Sequence, residues 1–407
     1  MRVLLVNKFN YLKGGADKYF IELAETLNQA GVETAKFCMS DEKNLPDKNN
    51  KYFLSKIDFN DFKLGDAFKY LGRILFSIEA AKKFESLLND FKPDIVHIHN
   101  IYHQISPSIL RVAKRHKLPV VMHLHDFKLL CPNYKMYTQN QVCERCKGGK
   151  FFNCTRYRCL KNSYAKSLLA TIEMYLHHKI LKIYEKNIIQ FIAPSEFVKN
   201  KAIEWGVPAE KISLLPYFIK PEEFIPNFIA GDYWLYFGRL EREKGIYTLL
   251  EAINKADIFG KLKIVGIGSE LGNIKKYVAE NDLSSKVELL GAKYDQDLKT
   301  LIAQARAVIV PSEWYEVSGI VNLEALILGK LVIASNIGGI KEIIIDNKTG
   351  LLFAPGSVSE LAEKLKLAAE KDLKELAIAG RERVVVKYND KIHLNKILEL
   401  YKRYAKV

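Results

Sequence analysis

What most constrains this chain is a rhythm. Short β-branched and aliphatic runs alternate with helix-length amphipathic segments over almost all of its 407 residues. A strand separated from the next by a helix lies parallel to it, so the pattern predicts an α/β protein of parallel sheets. In the clearest unit, residues 2–6 form a continuous apolar strand, Gly14 and Gly15 occupy the turn, and 16–30 form a helix stopped by Gly31. Further strands are expected at 94–98, 120–124 and 191–193. A stretch with Pro216, Pro221 and Pro226 then excludes a regular helix. Beyond it, strands recur at 233–237, 262–265, 287–290, 308–310, 332–334 and 351–353.

The chain therefore divides into a Rossmann-like domain over 1–215, a linker over 216–230 and a second Rossmann-like domain over 231–388. A helical tail over 389–407 carries Ile392, Ile397, Leu400 and Tyr401 at spacings that suit packing back toward the first domain. Two such domains face each other across a central cleft, and their ligands bind outside the carboxyl ends of the strands. With 48% of residues apolar, intrinsic disorder is excluded. No apolar run approaches the roughly 18 residues that span a bilayer, and residues 1–7 lack a cleavage-site pattern, so a cytoplasmic protein is expected.

Chemistry concentrates in the second half. Glu316 and Glu324 stand eight apart, with Ser318-Gly319-Ile320 between them where strand and loop pass into a helix. A helix starting near Ser318 leaves the amides of Gly319, Ile320 and Val321 free for a diphosphate. Glu324 then lies roughly 7.5 Å along the axis, comparable to the separation of ribose from the distal phosphate in a nucleotide sugar. One carboxylate suits hexose hydroxyls and the other the ribose diol. Upstream, Arg239 and Lys244 follow the strand 233–237 and can neutralise a leaving diphosphate. Gly266 and Gly268 make a glycine-rich strand-to-helix turn that misses strict dinucleotide spacing.

The order Phe237-Gly238-Arg239, Lys244-Gly245, Val265-Gly266-x-Gly268, Pro311-Ser312, Glu316-x7-Glu324-Ala325 and Gly338-Gly339-x-x-Glu342 resembles the nucleotide-binding half of glycosyltransferase family 4. The first half adds that family's Gly14-Gly15-Ala16 turn and its His125; Ser318 stands where the pattern usually has phenylalanine. The resemblance implies a GT-B fold and metal-independent transfer of a sugar, with retention, from a nucleotide diphosphate sugar to a hydroxyl of a glycan or lipid-linked acceptor. It also implies roles. Arg239 and Lys244 would bind the diphosphate, the Gly319 and Ile320 amides the distal phosphate, Glu316 the transferred sugar and Glu324 the ribose. His125 would meet a hexose hydroxyl, Gly14 and Gly15 would open the acceptor side and approach the donor phosphates, and Gly268 would let the nucleotide approach the backbone. Retaining hydrolases use a carboxylate pair about 5 Å apart, one member a nucleophile; no such nucleophile is identified in this sequence. The Asp295-x-Asp297 pair reads as a cap for the helix that follows, not a metal site.

Two histidine pairs, His97-x-His99 and His123-x-His125, each present both rings on one strand face, with His97 and His123 read as core residues. Cys131, Cys143, Cys146, Cys154 and Cys159 follow, in an insertion over 127–162. The Cys-x2-Cys knuckle predicts a structural zinc. The resemblance selects Cys131, Cys143, Cys146 and Cys159 as ligands, with Cys154 as the alternative.

The balance of 62 basic against 47 acidic residues calls for an anionic partner. Between Phe127 and Gln190 twelve basic residues meet three acidic ones, interleaved with Phe151, Phe152, Tyr157, Leu168, Leu169, Tyr175 and Leu176. This composition suits an acidic membrane face, with the protein peripheral on its inner side. Two other readings compete. A dinucleotide oxidoreductase is prompted by Gly266-x-Gly268 and Glu288 but leaves Arg239, Lys244 and the paired glutamates unexplained. A zinc-containing nucleic-acid binder leaves the two Rossmann-like domains unexplained, so no nucleic-acid partner is expected.

Overall fold

The computed structural model describes residues 1–57 and 72–405, so Lys406 and Val407 of the expected tail lie outside the described residues. In chain order the strands are β1 (Arg2–Val6), β2 (Glu33–Phe37), β3 (Ile95–Ile98), β4 (Val120–His123), a short antiparallel ribbon of β5 (Tyr137–Thr138) and β6 (Gln141–Val142), β7 (Gln190–Ala193) and β8 (Ile212–Leu214). There follow β9 (Trp234–Phe237), β10 (Leu262–Val265), β11 (Val287–Gly291), β12 (Ala307–Val310), β13 (Leu331–Ser335) and β14 (Leu351–Phe353). The first sheet has the order β2-β1-β3-β4-β7-β8 and the second β11-β10-β9-β12-β13-β14, each with six strands. Every pairing within them is parallel.

In each sheet the chain starts in the middle, winds to one edge, then returns to build the other side. The order reverses between β1 and β3 in the first sheet and between β9 and β12 in the second. Strands diverge from their connecting helices at such a reversal, opening a crevice at the carboxyl ends.

Strands β2 and β8 went unread in the sequence because both hold an edge or a short run. Glu33-Thr-Ala-Lys-Phe37 mixes charge with apolar residues, as a strand paired on one side does, and β8 has three residues.

The linker is core. Leu215, Tyr217, Phe218, Ile219 and Phe224 are buried in one apolar cluster that runs from Val3 and Leu5 of the first sheet to Val308 and Val332 of the second. The chain recrosses where Ile219 pairs with Asn389, and helix Asp390–Tyr404 lies on the first domain. Near β11, Asp295 and Asp297 fall inside the first turn of helix Asp295–Ala303 and make no side-chain cap. Their carboxylates act there on the helix dipole, not as the caps expected.

Candidate active site

The second domain supplies a charged crevice at its strand reversal. After β9, a tight turn over Arg242–Lys244 closes at Gly245, with φ +69°. A Cβ on Gly245 would stand 1.8 Å from the Pro311 carbonyl, so glycine alone lets this turn seat on the end of β12. That seating delivers Lys244 to Glu316, Nζ to Oε1 2.6 Å, while Ser312 Oγ donates to the same oxygen at 2.7 Å. Burial by itself would raise the Glu316 carboxyl. The Lys244 ammonium and the two hydrogen bonds outweigh it and hold the group below the ordinary carboxylate range. Arg239 stands exposed at the end of β9. Ser318 is buried, and helix Ile320–Ile327 starts behind Gly319 at φ +87°, two residues later than the sequence suggested. The Ile320 and Val321 amides of its first turn have no intrahelical acceptor, the Asn322 amide donates to the Gly319 carbonyl at 2.9 Å, and Glu324 lies one turn further in.

The first domain closes on this crevice. A Cβ on Gly15 would stand 2.9 Å from Ile320 Cδ1, so the starts of the two facing helices touch. Gly14 precedes helix Gly15–Gln29, and nothing would approach a Cβ there more closely than Asp17 Oδ2, at 3.9 Å. From this helix Lys18 Nζ reaches Glu324 Oε1 at 2.5 Å. Ser195 Oγ donates to the Val317 carbonyl at 2.5 Å. Glu342 accepts from the Glu196 amide at 2.8 Å and the Phe197 amide at 2.7 Å, so a carboxylate of the second domain caps helix Glu196–Glu204 of the first. Gly338 and Gly339 let this loop pass close under Glu316 and Val317, whose carbonyls lie 2.3 and 2.5 Å from the Cβ positions. Lys18 and Ser195 were not singled out in the sequence, and the glycine-glycine-x-x-glutamate motif was quoted without a role for Glu342.

The histidines from β3 and β4 form one stack. His123 and His125 lie 4.4 Å apart at 7°, and His97 and His99 4.3 Å apart at 30°. Helix Gly15–Gln29 covers them with Tyr19, the linker with Tyr217, and helix Asp390–Tyr404 with Tyr401 and His393. His125 spends both ring nitrogens inside this pack, Nε2 on His99 at 2.8 Å and Nδ1 on the Tyr217 hydroxyl at 2.6 Å. Its ring is thereby oriented by protein partners, and a sugar hydroxyl must displace one of them to meet it. Burial depresses the basicity of His97, His99, His123, His125 and His393, which keeps the stack neutral at pH 7.

Two family models cover nearly the whole chain: Glycosyltransferase Family 4 matches residues 13–223, and Glycosyl transferases group 1 matches residues 225–383. The chain belongs to glycosyltransferase family 4. A 42.6 kDa protein in the cps region of Klebsiella pneumoniae is 28% identical over 84% of this chain and 87% of its own length. The amylovoran biosynthesis glycosyltransferase AmsK of Erwinia amylovora is 28% identical over 56% of this chain and 61% of that one. Among solved structures, Anabaena Alr3699/HepE in complex with UDP and glucose superposes with a TM-score of 0.69, covering 99% of this chain and 100% of that one at 18% identity. The two parallel-sheet domains are thus a GT-B glycosyltransferase fold.

Within this glycosyltransferase the Cβ position of Gly268 lies 2.2 Å from the Leu240 carbonyl, and that of Gly266 lies 1.9 Å from the Gly238 carbonyl. Both glycines let the loop after β10 press on the loop after β9. The expected structural zinc site is not built: among the described residues no group of three His, Cys, Asp or Glu side chains is set to hold a metal. Cys131 Sγ turns to Asn133 Oδ1 at 3.0 Å, the Cys154 thiol is hydrogen-bonded to Cys159, and Cys146 and Cys154 pack with Phe151 and Met174. Cys143 is half-buried, and none of these thiols forms a disulfide. The insertion instead walls the cleft. Lys135 Nζ lies 2.6 Å from Glu243 Oε1, beside Lys244, and the Tyr315 hydroxyl, beside Glu316, donates to Glu144 at 2.8 Å.

The charge tally of this region shrinks in three dimensions. Lys128 is buried on Glu173 at 2.8 Å, and Lys135 and Lys147 pair with Glu243 and Glu204. Helix Tyr164–Met174 nonetheless exposes Tyr164, Leu168 and Ile172, one turn apart along one stripe, and Lys166, Lys179 and Lys182 of the same region are exposed. Among the described residues no helix is long and apolar enough to cross a membrane.

Proposed function

We propose that this glycosyltransferase moves a hexose-type sugar, with retention, from a nucleotide diphosphate sugar to a hydroxyl of a glycan or lipid-linked acceptor in cell-surface polysaccharide synthesis. The observation that carries this reading is the Lys244–Glu316–Ser312 cluster at the strand reversal of the second sheet. Arg239 and Lys244 bind the diphosphate with the first-turn amides of helix Ile320–Ile327, and these positive groups stabilise the charge that grows on the leaving phosphate. Glu316, ionised and fixed by two donors, accepts from sugar hydroxyls, and Glu324 accepts from the ribose diol. The acceptor oxygen bonds to the anomeric carbon on the face that the diphosphate leaves. As the bond between carbon and phosphate oxygen breaks, the acceptor proton passes to that oxygen. Retention follows from attack and departure sharing one face, with no carboxylate nucleophile required.

The amylovoran and cps-region relatives support the acceptor class, and HepE, solved with UDP and glucose, supports a UDP-hexose as the first donor to try. The apolar stripe with its lysines supports a peripheral position on an acidic membrane, on the cytoplasmic side. A panel of UDP-, GDP-, ADP- and dTDP-hexoses, assayed for nucleotide release with and without membrane-extracted lipid-linked glycans, tests the reading. Release of a nucleoside diphosphate that rises with acceptor is expected; no release from any donor would overturn it.

A further inference from the structure

The contact between Lys18 and Glu324 joins a residue of the first domain to the carboxylate assigned to the ribose. With Nζ 2.5 Å from Oε1, and with Gly15 seated on Ile320, the ammonium occupies the place of a ribose hydroxyl donor. The same Nζ lies 3.8 Å from Glu22 Oε1, one turn along its own helix. We propose that Lys18 is a specificity residue for the donor nucleotide: it holds Glu324 when no donor is bound and swings to Glu22 when a ribose diol displaces it.

Three features support the exchange. The pair is mostly sheltered, side-chain exposure being 28% for Lys18 and 16% for Glu324, and breaking such a pair is costly when a charge is left alone. Here neither charge is left alone, because Glu22 lies within one side-chain rotation of Lys18 and the diol donates to Glu324. The neighbouring cation cannot substitute, since Lys220 is already engaged with Glu25 at 3.6 Å and Glu223 at 3.5 Å. Finally, Glu22 is under-neutralised while Lys18 serves Glu324: burial, with the Glu324 and Glu223 charges adding to it, pushes its carboxyl up to about 7 despite Lys18 and Lys220. Arrival of the lysine relieves that strain.

The selectivity follows from the donors required. A ribose with both hydroxyls offers Glu324 two hydrogen bonds in exchange for the ammonium, a 2′-deoxyribose with its 3′-hydroxyl only one, and a 2′,3′-dideoxyribose none, so the latch favours ribonucleotide over deoxyribonucleotide donors.

The inference rests on the nucleotide-sugar reading, and titration calorimetry separates the two. UDP, GDP, ADP and their 2′,3′-dideoxy forms are titrated into the full chain, its Lys18→Met, Lys18→Arg and Glu324→Gln variants, and the Lys18→Met/Glu324→Gln double variant. Thermal unfolding checks that each variant folds. For the ribonucleotide that binds, Lys18→Met is expected to tighten binding about fivefold to tenfold. Lys18→Arg should stay within about twofold of the parent. The gain should vanish with the dideoxy nucleotide and in the Glu324→Gln background. Unchanged or weaker binding by a folded Lys18→Met variant, or an equal gain with dideoxy nucleotide, overturns the latch and leaves the enzyme reading intact. Failure of every nucleotide to bind the parent chain overturns both.

Discussion

Lys244 does two jobs at one atom. It neutralises the buried Glu316 carboxylate, and in the proposed reaction it supplies positive charge to the leaving diphosphate. Lys244→Ala is therefore expected to lower kcat/KM by at least about a hundredfold, in line with the loss of one transition-state donor, and Lys244→Arg to recover part of it; steady-state nucleotide release measures both. His123 is the opposite case, since within the described residues neither ring nitrogen has a hydrogen-bonding partner and the ring works as a flat apolar filler. His123→Phe should leave thermal stability at pH 7.5 unchanged or raised, because it removes two unsatisfied polar atoms. It should also flatten the acid limb. In the fold His97 and His393 are held down to about 3, from an ordinary value of 6.5. Between those values the unfolded chain binds more protons, so stability is full above about pH 6.5 and falls as pH drops. Calorimetric unfolding at pH 7.5 and 5.5 should show a smaller drop for His123→Phe than for the parent, and an equal drop would refute the assignment.

Helices are where the two domains make their bargains. Helix Glu196–Glu204 receives its carboxylate cap from Glu342 across the cleft, so Glu342→Ala should destabilise the closed form by about 1–3 kcal/mol and widen the molecule in small-angle scattering. Helix Tyr164–Met174 faces outward, and Leu168→Glu should cut flotation with anionic vesicles severalfold while neutral vesicles recover little of either protein. The apolar strands and glycine turns of both domains, β2 and β8 excepted, were legible in the sequence because a buried parallel strand must be an apolar run, and because charges placed at its carboxyl end stand out against it. Arg239 and Lys244 were singled out as candidates in this way, and Glu316 and Glu324 by their spacing across the passage into a helix. Lys18 and Ser195 were not, and Glu342 was quoted in its glycine motif without a role, since each acts on a partner more than a hundred residues away. The cysteines misled for the converse reason: their spacing fits a knuckle, but among the described residues no three side chains are set to hold a metal, and the Cys131 thiol bonds Asn133 and the Cys154 thiol Cys159.

At the scale of the molecule, linker, histidine stack and last helix form a single interior. The apolar cluster crosses the linker without a break, so the GT-B halves are seated on a shared core as well as tethered. The order of synthesis acquires a meaning from this. The first domain exposes its imidazole-lined face until Tyr401 and His393 arrive to cover it. The whole second domain must be made in between. At roughly 5–20 residues per second this leaves on the order of ten to thirty seconds of exposure on the ribosome. During that interval the newborn first domain is an unfinished surface, available to chaperones, and the last helix is the event that ends its apprenticeship.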